Sequence, residues 1–195
     1  MVSLDMPILI VGENSQRLAL IKEGLLDAGH ENLICTQTMT GLAGAIERAQ
    51  PYVVIIDLEH PSWVQQEGIF QLCQAFLKPM IVFVDASDEA ETKAAIDAGV
   101  SAYIIDGLKK ERIKPILDMA INRFNAHTHL LSELRETKAE LEGRKIIERA
   151  KGLLMESKQL SEQDAYRLMR KTAMKQSRKL KDVAESLVMA ADILK

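Results

Sequence analysis

Four of the five short apolar runs in the first half of the chain end on or beside a carboxylate. "PILIV" (7–11) is followed by Gly12 and Glu13, and "YVVIID" (52–57) closes on Asp57. "MIVFV" (80–84) precedes Asp85, and "SAYII" (101–105) precedes Asp106. If the runs are parallel strands, ligands belong beyond their carboxyl ends, so these acids share one crevice. Crowded carboxylates repel, which raises at least one pKa and opposes an added phosphoryl dianion. An aspartyl phosphate would need a cation and donors to disperse its charge. No lysine stands at these strand ends, and Lys109 in the following loop is the nearest candidate.

A second chemistry-bearing group is cationic. Arg170, Lys171, Lys175, Arg178, Lys179 and Lys181 gather late in the chain, and Arg144 and Lys151 lie seven apart on one helical face, with Glu148 between them. Residues 1–107 carry 5 Lys and Arg against 15 Asp and Glu, a net of −10, whereas residues 108–195 carry 20 against 13, a net of +7. Two modules of opposite sign are expected, and the basic one suits a polyanion bound through its phosphates. Gly152, inside the helical stretch "KIIERAKGLLM", costs about 1 kcal/mol relative to alanine. That predicts a close approach there by another helix or by a ligand.

The elements that position these groups follow from periodicity. The runs at 7–11, 32–36, 52–57, 80–84 and 101–105 are nearly continuous in apolar residues and alternate with amphipathic helices over about 14–28, 40–49, 64–77 and 88–98. This predicts a five-stranded parallel sheet with helices on both faces, within residues 1–110. A helix from Glu111 runs past Gly152, with Pro115 tolerated near its first turns. Ile113, Leu117, Ala120, Phe124, Leu131, Leu134 and Leu141, with His127 and Lys138 between, follow spacings of three and four. Residues 111–142 therefore read as a coiled-coil linker that pairs two copies, Leu117, Phe124, Leu131, Leu134 and Leu141 forming the seam, while the first turns pack on the sheet.

Beyond Gly143 a three-helix module is expected. It has Ile146, Ile147, Ala150, Leu153 and Leu154 inward on the first helix, and Ser161 capping a second that buries Ala165, Leu168, Met169 and Ala173. Tyr166 falls at core spacing on that second helix. The third helix buries Leu180, Val183, Ala184, Leu187, Val188, Ala191 and Leu194. Cys35 and Cys73 read as core thiols, not as a disulfide or metal site, which together with the lack of a signal sequence or an 18-residue apolar run predicts a cytoplasmic protein with no membrane segment. No Gly-rich phosphate loop, nucleophile pair or metal-ligand spacing is present, so an enzyme is not expected, nor a cofactor.

Two resemblances then become specific. "ILIVGEN", "VVIIDLEHP", "IVFVDAS" and "GVSAYIIDG" resemble the segments around the phosphorylation pocket of two-component receiver domains, a flavodoxin-like fold. Asp57 takes the phosphoacceptor position and Tyr103 that of the usual aromatic. The pocket departs from the receiver pattern. Gly12 and Glu13 stand where two acids normally hold Mg²⁺, Asp85 where Ser or Thr is usual, and Asp106 where a Lys is usual. The expectation is a degenerate pocket whose Asp57 is not phosphorylated and in which Mg²⁺ is not resident.

Residues 144–155, "SEQDAYRLMRKTA" (161–173) and "LKDVAESLV" (180–188) resemble the ANTAR domain of AmiR/NasT-type regulators, over about 132–195. The receiver-like part with "RIKPILDMAINRF" is most similar to the NasT-type, nitrate-assimilation members. The resemblance implies a dimeric transcription antiterminator that binds paired stem-loops in nascent leader mRNA. It also implies a nitrate- or nitrite-sensing partner that gates the protein in place of phosphorylation. The implied RNA-binding residues are Arg144, Lys151, Gly152, Arg170, Lys171, Lys175, Arg178 and Lys179. A phosphorylation-controlled DNA-binding response regulator and a protein-binding signalling adaptor are the alternatives, and the acidic or apolar run after Lys181 counts against a DNA recognition helix.

Overall fold

The computed structural model describes residues 6–193, so Leu194 lies outside the described residues. The first strands are β1 (Ile8–Gly12), β2 (Leu33–Thr36), β3 (Val53–Leu58), β4 (Met80–Val84) and β5 (Ala102–Ile105). All pair in parallel, in the order β2-β1-β3-β4-β5. Every residue of β1, β3 and β4 is buried, which is why these strands read as unbroken apolar runs. Between them lie α1 (Ser15–Asp27), α2 (Leu42–Ala49), α3 (Trp63–Ala75) and α4 (Glu89–Asp97). Side-chain caps set the helix starts: Asn14 for α1, and capping boxes Ser62/Gln65 and Asp88/Glu91 for α3 and α4.

One face of the sheet buries Ile8, Ile10, Ile55, Ile81 and Phe83 against Leu18, Ile21 and Leu25 of α1. The other buries Leu9, Val11, Val54, Ile56 and Val82 against Ile46 and Ile69. Helix α5 (Lys110–Lys158) begins on the first of these faces, where Ile113, Ile116, Leu117, Ala120 and Ile121 are all buried. Leu117 therefore belongs to this core and not to a dimer seam, a correction that follows from heptads and core-facing helices sharing the same three–four spacing. Gly24 of α1 is where the two helices meet: a Cβ there would stand 2.8 Å from Ile113 and 2.9 Å from the Lys110 carbonyl. Strand β2 is an edge, and Cys35 on it is exposed, against the expectation of a core thiol; Cys73 is half-buried.

The chain divides into two compact units, residues 1–128 and 129–195. In the second, the end of α5 packs with α6 (Glu162–Lys175) and α7 (Leu180–Ile193). Ala150, Leu154, Ala165, Met169 and Ala184 form its centre, flanked by Ile146, Ile147, Leu168, Leu187 and Val188. Ser161 caps α6, its hydroxyl oxygen accepting from the Asp164 N–H. The close approach expected at Gly152 occurs instead at Gly143, where a Cβ would lie 3.3 Å from the Lys181 side chain. Around Gly152, apart from its own helix backbone, nothing among the described residues comes within 4 Å of such an atom.

Candidate functional site

Asp57 is the penultimate residue of β3 and is 2% exposed. In the sheet register Gly12 lies beside it, so close that a Cβ on Gly12 would meet the Asp57 carbonyl at 3.0 Å. The place an acid takes in receivers is thus nearly closed to any side chain. Both oxygens of Asp57 are taken by Arg17, whose Nε donates to Oδ2 at 2.8 Å and Nη2 to Oδ1 at 2.7 Å. The remaining arm, Nη1, donates to Oδ1 of Asp85 at 2.5 Å. One guanidinium therefore bridges the carboxylates at the carboxyl ends of β3 and β4, offsetting one of their two negative charges. The hydrogen bonds to Asp57 hold its proton more tightly than in a free arginine, against the cost of burial.

Of the four acids expected in one crevice, Glu13 lines the same cavity as Asp57, and Arg17 bridges Asp57 to Asp85. Glu13 and Asp106 are exposed and make no ion pair among the described residues. Asp106 sits at a positive φ of 46° and hydrogen-bonds to Val84 through its backbone N–H. Lys109 is exposed and likewise forms no ion pair. Tyr103 is half-buried, its hydroxyl donating to Ser87 at 3.2 Å, and burial pushes the phenol pKa up.

Arg17 was the residue sequence reasoning missed. Its signal is a cation in the first turn of a helix, where the macrodipole disfavours positive charge unless an acid lies beyond the terminus. With Gly12 lacking a ligand and Arg17 on Asp57, these residues do not fit a resident divalent cation. Among the described residues no group of three His, Cys, Asp or Glu side chains is placed to hold one.

In the second unit the predicted basic residues fall into two groups. Lys151 is only 8% exposed; its ammonium lies 2.8 Å from Glu148 and 2.7 Å from Glu162, tying α5 to α6. Those two partners hold its pKa above the ordinary lysine value, Glu148 first. Arg144 pairs with Glu140 one turn back. Arg178 spans the turn into α7, donating to the Asp182 carbonyl and the Ser186 hydroxyl, both at 2.9 Å. Arg170, Lys171, Lys175 and Lys179, by contrast, are exposed and unpaired among the described residues. Tyr166 is not a core residue: it stands 42% exposed on α6, while Ala165, Met169 and Ala173 supply the buried face.

A receiver fold whose buried Asp57 is clasped by an arginine, followed by a small helical unit, defines a response regulator. The ANTAR domain is matched at residues 135–188. Over 144 residues the chain is 31% identical to transcriptional regulatory protein PdtaR of Mycobacterium tuberculosis, covering 72% of this chain and 70% of that one. The protein belongs to this family of transcriptional regulators, which join a receiver domain to an ANTAR domain; it is a regulator and not an enzyme. The receiver fold is shared with a CheY-like receiver domain protein from Methanospirillum hungatei (TM-score 0.53, 18% identity, 63% of this chain and 98% of that one). A receiver domain of a diguanylate cyclase from Desulfovibrio desulfuricans is similar in the same way (TM-score 0.54, 15% identity, 63% and 98%). No helix among the described residues is long and apolar enough to cross a membrane.

Proposed function

We propose that this protein is a transcription antiterminator that binds paired stem-loops in nascent leader mRNA through its ANTAR unit. The observation that carries the reading is the group of unpaired, exposed cations Arg170, Lys171, Lys175 and Lys179 on that unit. Cations already matched by acids gain little by meeting phosphate, whereas unmatched ones release counterions from RNA and gain the full electrostatic term. Lys151 then acts by holding α5 and α6 together. Gly152, with open space above it, leaves room for an RNA backbone to approach.

Two copies of the unit fit a paired target, because linkage converts the second binding event into an intramolecular one. Leu130, Leu134 and Leu141 are 63%, 49% and 52% exposed on α5 between the two cores, and Phe124 and Leu131 are half-buried. We assign the dimer seam to Phe124, Leu131, Leu134 and Leu141, with Leu130 beside them. Leu134→Lys is expected to shift the protein from dimer to monomer in light scattering; an unchanged dimer would exclude this seam.

The Arg17 clasp supports control by a protein partner in place of phosphorylation, since each oxygen of Asp57 would have to share or surrender its bond to the guanidinium before meeting a phosphoryl donor. The resemblance to nitrate-assimilation antiterminators makes a nitrate- or nitrite-sensing protein the partner and nitrate-assimilation leaders the targets. Gel shifts at two salt concentrations with hairpin RNA and duplex DNA test the central reading. Four phosphate contacts predict a log–log salt slope of about −3. Tight duplex DNA binding with no preference for hairpins would overturn it.

A further inference from the structure

The exposed face of α6 combines features that the electrostatic reading does not use. Tyr166, Arg170 and Met174 follow one another at intervals of four, forming one stripe along the helix. Arg167, Lys171 and Lys175 form the adjacent stripe by the same spacing. Tyr166 is 42% exposed and Met174 is 74% exposed, although both are the kind of side chain a small helical unit would gain by burying. The tyrosine borders the core, which Ala165, Met169 and Ala173 close from the adjoining face of the helix. Its hydroxyl makes no hydrogen bond among the described residues, so no partner in this chain orients the ring.

We infer that α6 is a stacking platform for an unpaired base of the RNA loop. Tyr166 receives the base on its ring face and Met174 lies against its edge or sugar. Arg170, Lys171 and Lys175 hold the flanking phosphates. Charge decides the occupant: the stripe beside the ring carries Lys171 and Lys175 with no acid paired to either, which suits a polyanion with splayed bases. Base-on-aromatic stacking tolerates any base because each has a π-face, so this surface supplies affinity for single-stranded loops without reading their sequence. The inference rests on the RNA-binding reading and locates its loop contact on α6.

The test uses the full-length protein with a pool of hairpin RNAs carrying randomised loops, and with the same stems annealed as blunt duplexes. Tyr166→Ala is expected to weaken hairpin binding by about 10- to 100-fold while leaving the salt slope unchanged, because no phosphate contact is lost. Tyr166→Phe is expected to bind as the wild type, and neither substitution to alter duplex binding. Lys171→Gln with Lys175→Gln should instead flatten the slope by about 1 to 2 units for hairpin and duplex alike. Wild-type-like hairpin binding by Tyr166→Ala overturns the platform while leaving the RNA reading intact; failure of the wild-type protein to bind any hairpin overturns that reading itself. Should Tyr166→Ala not fold, photocrosslinking of the wild-type protein to hairpins with 5-iodouridine in the loop decides the matter. An adduct on Tyr166 is expected, and adducts confined to other helices refute the assignment.

Discussion

Replacing Arg17 by alanine removes, among the described residues, the only cation bonded to the almost wholly buried Asp57 carboxylate. The Arg17 side chain is 19% exposed and that of Asp57 is 1% exposed, so solvent screens this pair weakly. Deleting one member of such a pair costs about 3 kcal/mol, most of it from the charge left behind. The arm to Asp85, whose side chain is 37% exposed, adds only ~0.5 kcal/mol. For a unit of this size, ~3 kcal/mol corresponds to a fall in melting temperature of about 10 °C. Circular dichroism during heating follows the loss. Arg17→Lys keeps the charge but loses the two-pronged geometry, so an intermediate loss is expected. Adding Asp57→Asn to Arg17→Ala should recover about half of the deficit by removing the orphaned charge. The reasoning fails if Arg17→Ala melts within about 2 °C of wild type, or if Asp57→Asn makes the double variant less stable still.

Further outcomes follow from the same geometry. Gly152→Ala meets no neighbouring element among the described residues and should raise stability by about 1 kcal/mol in thermal melts, while a fall in hairpin affinity would mark the site where RNA comes near. Gly24→Ala should destabilise by about 1–3 kcal/mol in denaturant titrations, because its methyl group would be driven into Ile113 and the Lys110 carbonyl. His30 is buried with Nδ1 unpartnered, and burial lowers its pKa below the ordinary 6.5 despite the opposing pull of Asp118, with Lys114 acting in the same direction as burial. The unfolded chain then takes up a proton that the fold refuses, so stability is complete above about pH 6.5 and declines as pH falls below it. Melts of the wild type and of His30→Leu between pH 7.5 and 5 should diverge in that sense, the variant having the flatter acid limb.

The sheet was legible because buried parallel strands write themselves as unbroken apolar runs, and the start of α6 because Ser161 acts on Asp164 three places away. What escaped depended on long-range pairing. Arg17 reaches partners 40 and 68 residues distant, and no local pattern specifies which acid a first-turn arginine will meet. Lys151 looked like a surface cation because periodicity treats every lysine as outward, whereas two glutamates pull its ammonium across the α5–α6 contact. Tyr166 failed in the opposite sense: its spacing borders the buried stripe, and the small residues Ala165 and Ala173 let the helix seat without it. Cys35 was misjudged because apolarity identifies a strand but not whether it is an edge.

An acyl phosphate keeps time: it forms, persists and hydrolyses, so an ordinary receiver remembers a stimulus after the stimulus has gone. A guanidinium clasped to Asp57 stores no such history. Under the proposed control by a partner, such a regulator would report only what is bound to it at that moment, its response ending as fast as the partner leaves or returns.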